Sequence, residues 1–239
     1  MSGAELPDMP SGGRDRFLRE MEKAGVPVSR ETLSRLDVFV DNLVRWQKAI
    51  NLVGRNTLQD VWERHVLDSA QIKPLVPAEA TTIADLGSGG GFPGLVLAAL
   101  CPEIHVTLIE ADARKAAFLG DTARRMALPR SPRLRIGRIE AAEPAGADIV
   151  TARALAPLGQ LLAWASRHGK TGAICLFHKG KGWQGELTEA TKAWDITCQP
   201  IISVTDRDAV ILRIGSLSPT PDLCHREPER RRREDNDGH

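Results

Sequence analysis

Ile83-Ala84-Asp85-Leu86-Gly87-Ser88-Gly89-Gly90-Gly91-Phe92-Pro93-Gly94 is an apolar run that ends at an acidic residue, breaks into glycines and passes into a second apolar run. It reads as a strand, a tight ligand-binding turn and a helix. Glycines in such a turn remove the Cβ atoms that would hold backbone N–H groups away from a bound nucleotide, and they permit the positive φ of a sharp strand-to-helix reversal. Register narrows the ligand. Gly89 to Gly94 satisfy G-x-G-x-x-G, but that dinucleotide pattern opens directly after its strand, and Gly89 comes too late for a strand ending at Asp85 or Leu86. A P-loop is excluded, because Leu95 follows Gly94 where lysine is needed to hold a phosphate.

Glu110 is the second anchor. It ends the apolar alternation His105-Val106-Thr107-Leu108-Ile109 and falls at the carboxyl end of the next parallel strand, beside the glycine turn. An acidic residue there accepts hydrogen bonds from ribose hydroxyls. Asp112 is a nearby substitute, and both residues also read as caps of the helix carrying Arg114, Ala117, Phe118 and Leu119. The order Asp85-x-Gly87-x-Gly89-x-Gly91, followed by Glu110, resembles the first motif and ribose acceptor of class I S-adenosylmethionine-dependent methyltransferases. The resemblance implies a Rossmann-like α/β sheet with S-adenosylmethionine as cofactor, and Asp85, Gly87, Gly89, Gly91 and Glu110 among its binding residues.

Outward from the turn, candidate strands at 82–85, 105–109, 134–136, 148–150, 173–177, 196–204 and 209–214 alternate with helix-length segments until the last pair. That alternation argues for a parallel sheet covered on both faces. Thr205-Asp206-Arg207-Asp208 is too short for a parallel crossover, so the last two strands are expected to form a terminal antiparallel hairpin. Residues 1–13, rich in Gly, Pro and Ser, read as a flexible leader. Residues 14–77 read as an N-terminal helical extension. Its first helix ends at Gly25, and its second is capped by Ser29 and carries Leu33, Leu36, Val40, Leu43 and Val44 on one stripe. A third helix over Leu58 to Ile72 stops before Pro74. Residues 78–216 form the expected methyltransferase domain, and 217–239 a disordered charged tail.

A net charge of +1 names no partner. Arginines nonetheless cluster at Arg14, Arg16 and Arg19, from Arg124 to Arg138, and at Arg230 to Arg233, where they could meet phosphates or simply solvate a face. Cys101, Cys175, Cys198 and Cys224 are widely spaced, which suggests neither a metal site nor a disulfide framework; Cys101 and Cys175 read as small core residues. With no signal peptide and no apolar run of membrane-spanning length, a cytoplasmic protein is expected; the sequence does not set its oligomeric state, and a monomer is the default expectation.

Six segments occur in the order and rough spacing of one family. They are Trp46-Gln47-Lys48-Ala49-Ile50-Asn51-Leu52-Val53, His65-Val66-Leu67-Asp68-Ser69, the glycine turn from Asp85 to Gly94, Arg138-Ile139-Glu140, Thr151-Ala152-Arg153-Ala154 and Lys179-Gly180. On these the chain resembles the RsmG (GidB) small-subunit ribosomal RNA methyltransferases, over about residues 30 to 215. The resemblance implies methyl transfer to N7 of a guanine in the 530 loop (guanine 527) of 16S ribosomal RNA, with the 30S subunit as partner.

Carried over position by position, the resemblance makes Gly87 and Phe92 contacts to the cofactor. Ile139 and Glu140 would flank the adenine, and Arg153 would stand at the junction of cofactor and substrate. His65 and Lys179 join Arg153 as candidates for the catalytic role, with Asp68, Asn51 and Lys181 nearby. The plainer alternatives are Phe92 as core, Glu140 as a helix cap, Arg153 as an ion-pair partner, His65 and Asp68 as helix-fixing residues and Lys179 as a solvent-exposed loop lysine. Guanine N7 carries an in-plane lone pair and no proton, so this chemistry asks for alignment rather than a strong base. Competing functions are a class I methyltransferase of another acceptor and a non-catalytic RNA-binding relative. Exocyclic-amine chemistry is disfavoured, because Thr151-Ala152-Arg153-Ala154-Leu155-Ala156-Pro157 stands where an Asn/Asp-Pro-Pro-aromatic motif is expected.

Overall fold

A computed structural model of the chain describes residues 11–220. Seven strands form one sheet: β1 (Thr82–Leu86), β2 (His105–Glu110), β3 (Arg133–Ile136), β4 (Ala147–Arg153), β5 (Gly169–Lys179), β6 (Trp194–Ile202) and β7 (Val210–Pro219). Their spatial order is β3-β2-β1-β4-β5-β7-β6. The first five run parallel, while β7 is antiparallel to β5 and β6. The expected class I sheet with its terminal hairpin is therefore present. From β1 the chain winds outward through β2 and β3, then returns to β4 on the other side. This reversal opens a crevice at the carboxyl ends of β1 and β4, where doubly wound sheets place ligands.

Helices cover both faces, which is why β1 is buried from Ile83 to Leu86 and reads as a continuous apolar run. On one face α1 (Ser11–Lys23) and α2 (Arg30–Gln47) share a core with α4 (Gly94–Leu100) and α5 (Ala113–Arg125), through Phe17, Leu36, Phe39, Leu95 and Phe118. On the other, α6 (Leu158–His168) and α7 (Trp183–Ala190) cover Val150, Phe177 and Leu212. Ser29 does cap α2, accepting from Thr32 N–H at 3.1 Å. Asn42 and Trp46 on α2 both donate to Asp121 Oδ2 on α5, at 3.1 and 3.2 Å, and fix the extension to the sheet layer. Cys101 and Cys175 are buried, as expected.

Several boundaries differ from the sequence expectation. The first helix starts at Ser11 rather than Arg14, and a Cβ on Gly13 would touch Trp62. The third helix is not one regular helix from Leu58. A π-helical stretch, Trp62–Leu67, runs into the short α3 (Asp68–Ala70), and Pro74 sits inside a 3-10 turn, Lys73–Leu75. β7 continues beyond Ser216, because Ser216, at φ +43°, is a bulge after which pairing resumes with Ile196 opposite Leu217. The expected leader over 1–10 and most of the expected tail, from 221 onward, lie outside the described residues. Among the described residues no helix is long and apolar enough to cross a membrane.

Candidate functional site

The glycine turn leaves β1 with Gly87 at φ +62° and Gly89 at φ +51°, left-handed values that side chains rarely adopt. A Cβ on Gly87 would stand 2.5 Å from Leu155 Cδ1; one on Gly89 would find nothing nearer than Gly87 O at 3.7 Å. The turn therefore presents bare backbone to a cleft of about 650 Å³, a size that suits a nucleoside-sized ligand. Glu110 braces the turn, its Oε2 accepting from Gly89 N–H and its Oε1 from Asp112 N–H, both at 2.8 Å. A carboxylate offers about four lone-pair sites, so each oxygen retains capacity for a hydroxyl donor. Asp112 is the cap of α5, accepting from Arg114 and Lys115 N–H. Ile109 and Ile139 add apolar wall, and Glu140 stands at the rim with Arg138.

Two expected cofactor residues lie behind this cleft rather than in it. Asp85 is fully buried: its Oδ1 accepts from Thr151 Oγ1 at 2.8 Å, and its Oδ2 from Gly94 N–H at 3.2 Å, the first residue of α4. Burial pushes its carboxyl up to about 6, against hydrogen bonds from Thr151, Ser88 and Gly94 that favour the charge. Asp85 thus ties the strand end to the start of α4. At Gly91 a Cβ would fall 2.7 Å from Leu95 Cδ1 and 3.1 Å from Phe39 Cζ, so this glycine is required by packing under the turn.

A second cavity, of about 560 Å³, adjoins the first and shares His65, Arg153, Ala154 and Leu155 with it. Arg153, at the end of β4, forms the partition. Its Nε pairs with Asp68 Oδ2 at 3.0 Å, and its Nη2 donates to Arg64 O at 2.9 Å and to His65 Nδ1 at 2.6 Å. Its guanidinium carbon lies 5.6 Å from the centre of the Phe92 ring, on which His65 stacks at 5.1 Å. Burial lowers the Arg153 pKa and Asp68 opposes the shift, but an arginine stays cationic in either case. Ala154, next in the chain, is held at φ +50°, so the partition sits on strained backbone.

The His65 tautomer follows from its partners. Arginine can only donate, so Nδ1 is an acceptor and the proton is on Nε2. That N–H donates to Thr57 Oγ1 at 2.8 Å, and Thr57 in turn donates to Gly54 O at 2.8 Å. Burial, followed by the Arg153 charge, lowers the His65 pKa to about 3, so the ring is neutral and has no free lone pair for general-base work. Asp68 is equally committed, its Oδ1 accepting from Thr205 Oγ1 and Gln71 Nε2. Lys179 lines the second cavity but is not a loose loop cation: its Nζ pairs with Glu186 Oε2 at 2.6 Å and donates to Ala156 O at 3.1 Å. His178, buried beside it, donates from Nε2 to Asp68 O at 2.7 Å.

The sequence reading named Asn51, which lines the cleft, but not the loop around it as the cleft's roof. Gln47 holds Leu52 and Val53 through both amide atoms, accepting from their N–H groups at 2.8 and 3.1 Å and donating to Val53 O at 2.8 Å. Leu52 O would meet a Cβ on Gly90 at 2.9 Å, so the loop lies directly over the turn. Trp164 and Glu186 also line the two cavities. Only the neighbourhood of Trp46 to Val53 signalled any of this. Within the two arginine clusters among the described residues, Arg14 pairs with Asp37, Arg16 with Glu63, and both Arg124 and Arg125 with Asp121; the third, Arg230 to Arg233, lies outside the described residues.

A family model described as GidB, rRNA small subunit methyltransferase G, matches residues 32–207. A protein of Paramagnetospirillum magneticum named ribosomal RNA small subunit methyltransferase G is 50% identical over 200 residues, covering 83% of this chain and 94% of the relative. One of the same name from Methylobacterium sp. strain 4-46 is 49% identical over 220 residues, covering 89% and 100%. Among solved structures, one from Klebsiella pneumoniae described as an O-methyltransferase superposes with a TM-score of 0.52 at 16% identity, covering 83% of this chain and 95% of that one. At that identity the likeness concerns the fold alone.

Proposed function

The chain belongs to the GidB family, the small-subunit rRNA methyltransferases G, and from that membership we propose that it methylates N7 of a guanine in the 530 loop of 16S ribosomal RNA. The observation that carries the reading is the pair of cavities joined across Arg153: one backbone-lined cleft of nucleoside size, and one polar chamber in which a base can lie against it. The cofactor is S-adenosylmethionine. Gly87, Gly89, Phe92, Glu110, Ile139 and Glu140 are the residues that would hold it, Glu110 through the ribose hydroxyls and Ile139 against the adenine.

When bound, S-adenosylmethionine would supply an electrophilic methyl carbon open to in-line attack by the N7 lone pair, the N–C bond forming as the C–S bond breaks with its electrons returning to sulfur, so that positive charge would pass to the guanine. The protein has no proton to remove from N7, which agrees with a neutral His65 whose nitrogens are both committed. Its task is alignment. His65 and Arg153, bonded to each other, both lie against Phe92 and fix the partition between methyl donor and base. Asp68 balances the Arg153 charge, so the partition does not oppose charge developing on the guanine. The outward Nη1 edge of Arg153, which has no partner among the described residues, is free for a phosphate or base edge. Lys179 holds the segment after β4 through Ala156.

The target base must leave its stack at a cost of a few kcal/mol, repaid by sugar and phosphate contacts that weaken with salt. The test is transfer of labelled methyl to 30S subunits lacking their own 530-loop methylation, with the product mapped by cleavage at 7-methylguanine. Label at one guanine N7 in that loop is the expected result. Label elsewhere, or at another atom, refutes the assignment.

A further inference from the structure

The second cavity contains a carboxylate oxygen that the fold leaves unspent. Glu186, on the first turn of α7, receives both of its bonds on Oε2, from Lys179 Nζ at 2.6 Å and from Leu158 N–H at 2.7 Å. Among the described residues Oε1 has no partner, and the side chain is half-buried at the chamber wall. The chamber's other carboxylates differ. Asp68 has both oxygens engaged, by Arg153, Thr205 and Gln71. Asp206 is exposed in the β6–β7 turn and accepts from Asp208 N–H. Glu186 is therefore the acceptor that is at once oriented and available.

Resting on the guanine-N7 reading above, we propose that Glu186 reads the Watson–Crick edge of the target base through Oε1. A guanine with N7 turned to the methyl donor directs its N1–H and 2-amino donors to the far side of the chamber. Oε1 keeps two lone pairs, enough to accept from both donors. Adenine would instead present an N1 lone pair to it and be repelled. The same contact gains strength during the reaction, because the ring becomes cationic and its N–H groups more acidic as N7 is methylated. Lys179 and Leu158 N–H preorganise the carboxylate, so Lys179 is a positioning residue for Glu186.

The experiment compares 30S subunits reconstituted with 16S RNA carrying either guanine or inosine at the target position. Inosine keeps N7, O6 and N1–H but lacks the 2-amino group. Wild-type enzyme is expected to favour guanine in kcat/KM by about tenfold or more, the range of a hydrogen bond to a charged partner. Glu186→Gln is expected to lose activity on guanine and to treat the two bases within about twofold, with unchanged S-adenosylmethionine affinity by calorimetry. A purely structural Glu186 would lower both activities and preserve their ratio, which overturns the proposal. Equal wild-type rates on guanine and inosine overturn it without any variant. If wild-type enzyme leaves guanine N7 unmodified in these subunits, the function proposed above fails and Glu186's role fails with it.

Discussion

Replacing His65 with glutamine tests the electrostatics of the partition. The histidine titrates near 6.5 in the unfolded chain and at about 3 in the fold, where burial and then Arg153 hold it neutral. Between those values only the unfolded state takes up the proton, so stability falls as pH drops below 6.5 and continues to fall toward 3. Integrating the linkage relation from pH 7 to pH 5 gives about 2 kcal/mol of stability lost through this one group. Glutamine does not titrate, and it can still accept from Arg153 and donate toward Thr57. At pH 7 the variant should be the less stable by about 1–2 kcal/mol, for imperfectly remade hydrogen bonds. At pH 5 the gap should have closed by about 2 kcal/mol. His168, His178 and Asp85 are common to both proteins, so their titrations cancel to first order. Urea unfolding followed by circular dichroism at the two pH values measures the gap. A gap that does not change with pH would refute both the neutral tautomer and the donor–acceptor chain from Arg153 through Thr57 to Gly54.

Asp85→Asn should reverse that sign. The carboxyl stands at about 6 in the fold against 3.8 unfolded, so the stability present below pH 3.8 is lost as pH rises through 6, about 3 kcal/mol in all. Asparagine escapes that loss, and the variant should gain on wild type between pH 4 and pH 8 in the same unfolding assay. Parallel profiles would show that Asp85 is not held in a charge-disfavouring site. Gly87→Asp places a charged side chain at φ +62°, where a Cβ already falls 2.5 Å from Leu155; calorimetry should find S-adenosylmethionine binding abolished, and near-normal affinity would remove the turn from the cofactor site. Arg153→Lys keeps a charge for Asp68 but cannot also reach His65 Nδ1 and Arg64 O. Methyl transfer should fall by more than about tenfold while the melting temperature changes little. Equal losses in both would mark Arg153 as a structural ion pair alone.

Much of the fold was readable because its signals are local. The apolar run ending at Asp85, the glycines and the alternation ending at Glu110 are each set by neighbours in the chain, and the Thr205–Asp208 turn is too short for anything but a hairpin. What the spacing could not supply was the side of the backbone on which a residue acts. Asp85 and Gly91 belong to the same motif as Gly87 and Gly89, yet they face α4 and Phe39 rather than the cleft. The last strand was expected to end at 214 and the domain at 216, because the composition turns polar beyond Ser216, whereas β7 runs on to Pro219 past a bulge at Ser216. Long-range partners were silent altogether. Nothing near Lys179 announces Glu186 on the next helix, and Gln47 acts as a surrogate backbone group for the roof loop, a role with no pattern in the chain.

The two cavities are built on different physics. Backbone shapes the first cleft, where Gly87 and Gly89 hold left-handed φ without side chains and a single carboxylate, Glu110, braces the turn from β2 by accepting from Gly89 N–H. Side-chain charge shapes the chamber beyond it, where Arg153 and Lys179 are each matched by a carboxylate, Asp68 and Glu186. Under the proposed N7 reaction matching matters, because a positive charge would develop there: an unbalanced arginine against the base would raise the barrier, whereas a neutralised one can align without opposing. Asp68, Arg64 and His65 all come from the segment before β1, in the π-helical turn and α3. The α1–α3 region is thus part of the chamber's wall, and the orientation of Arg153 depends on its docking against the carboxyl end of β4.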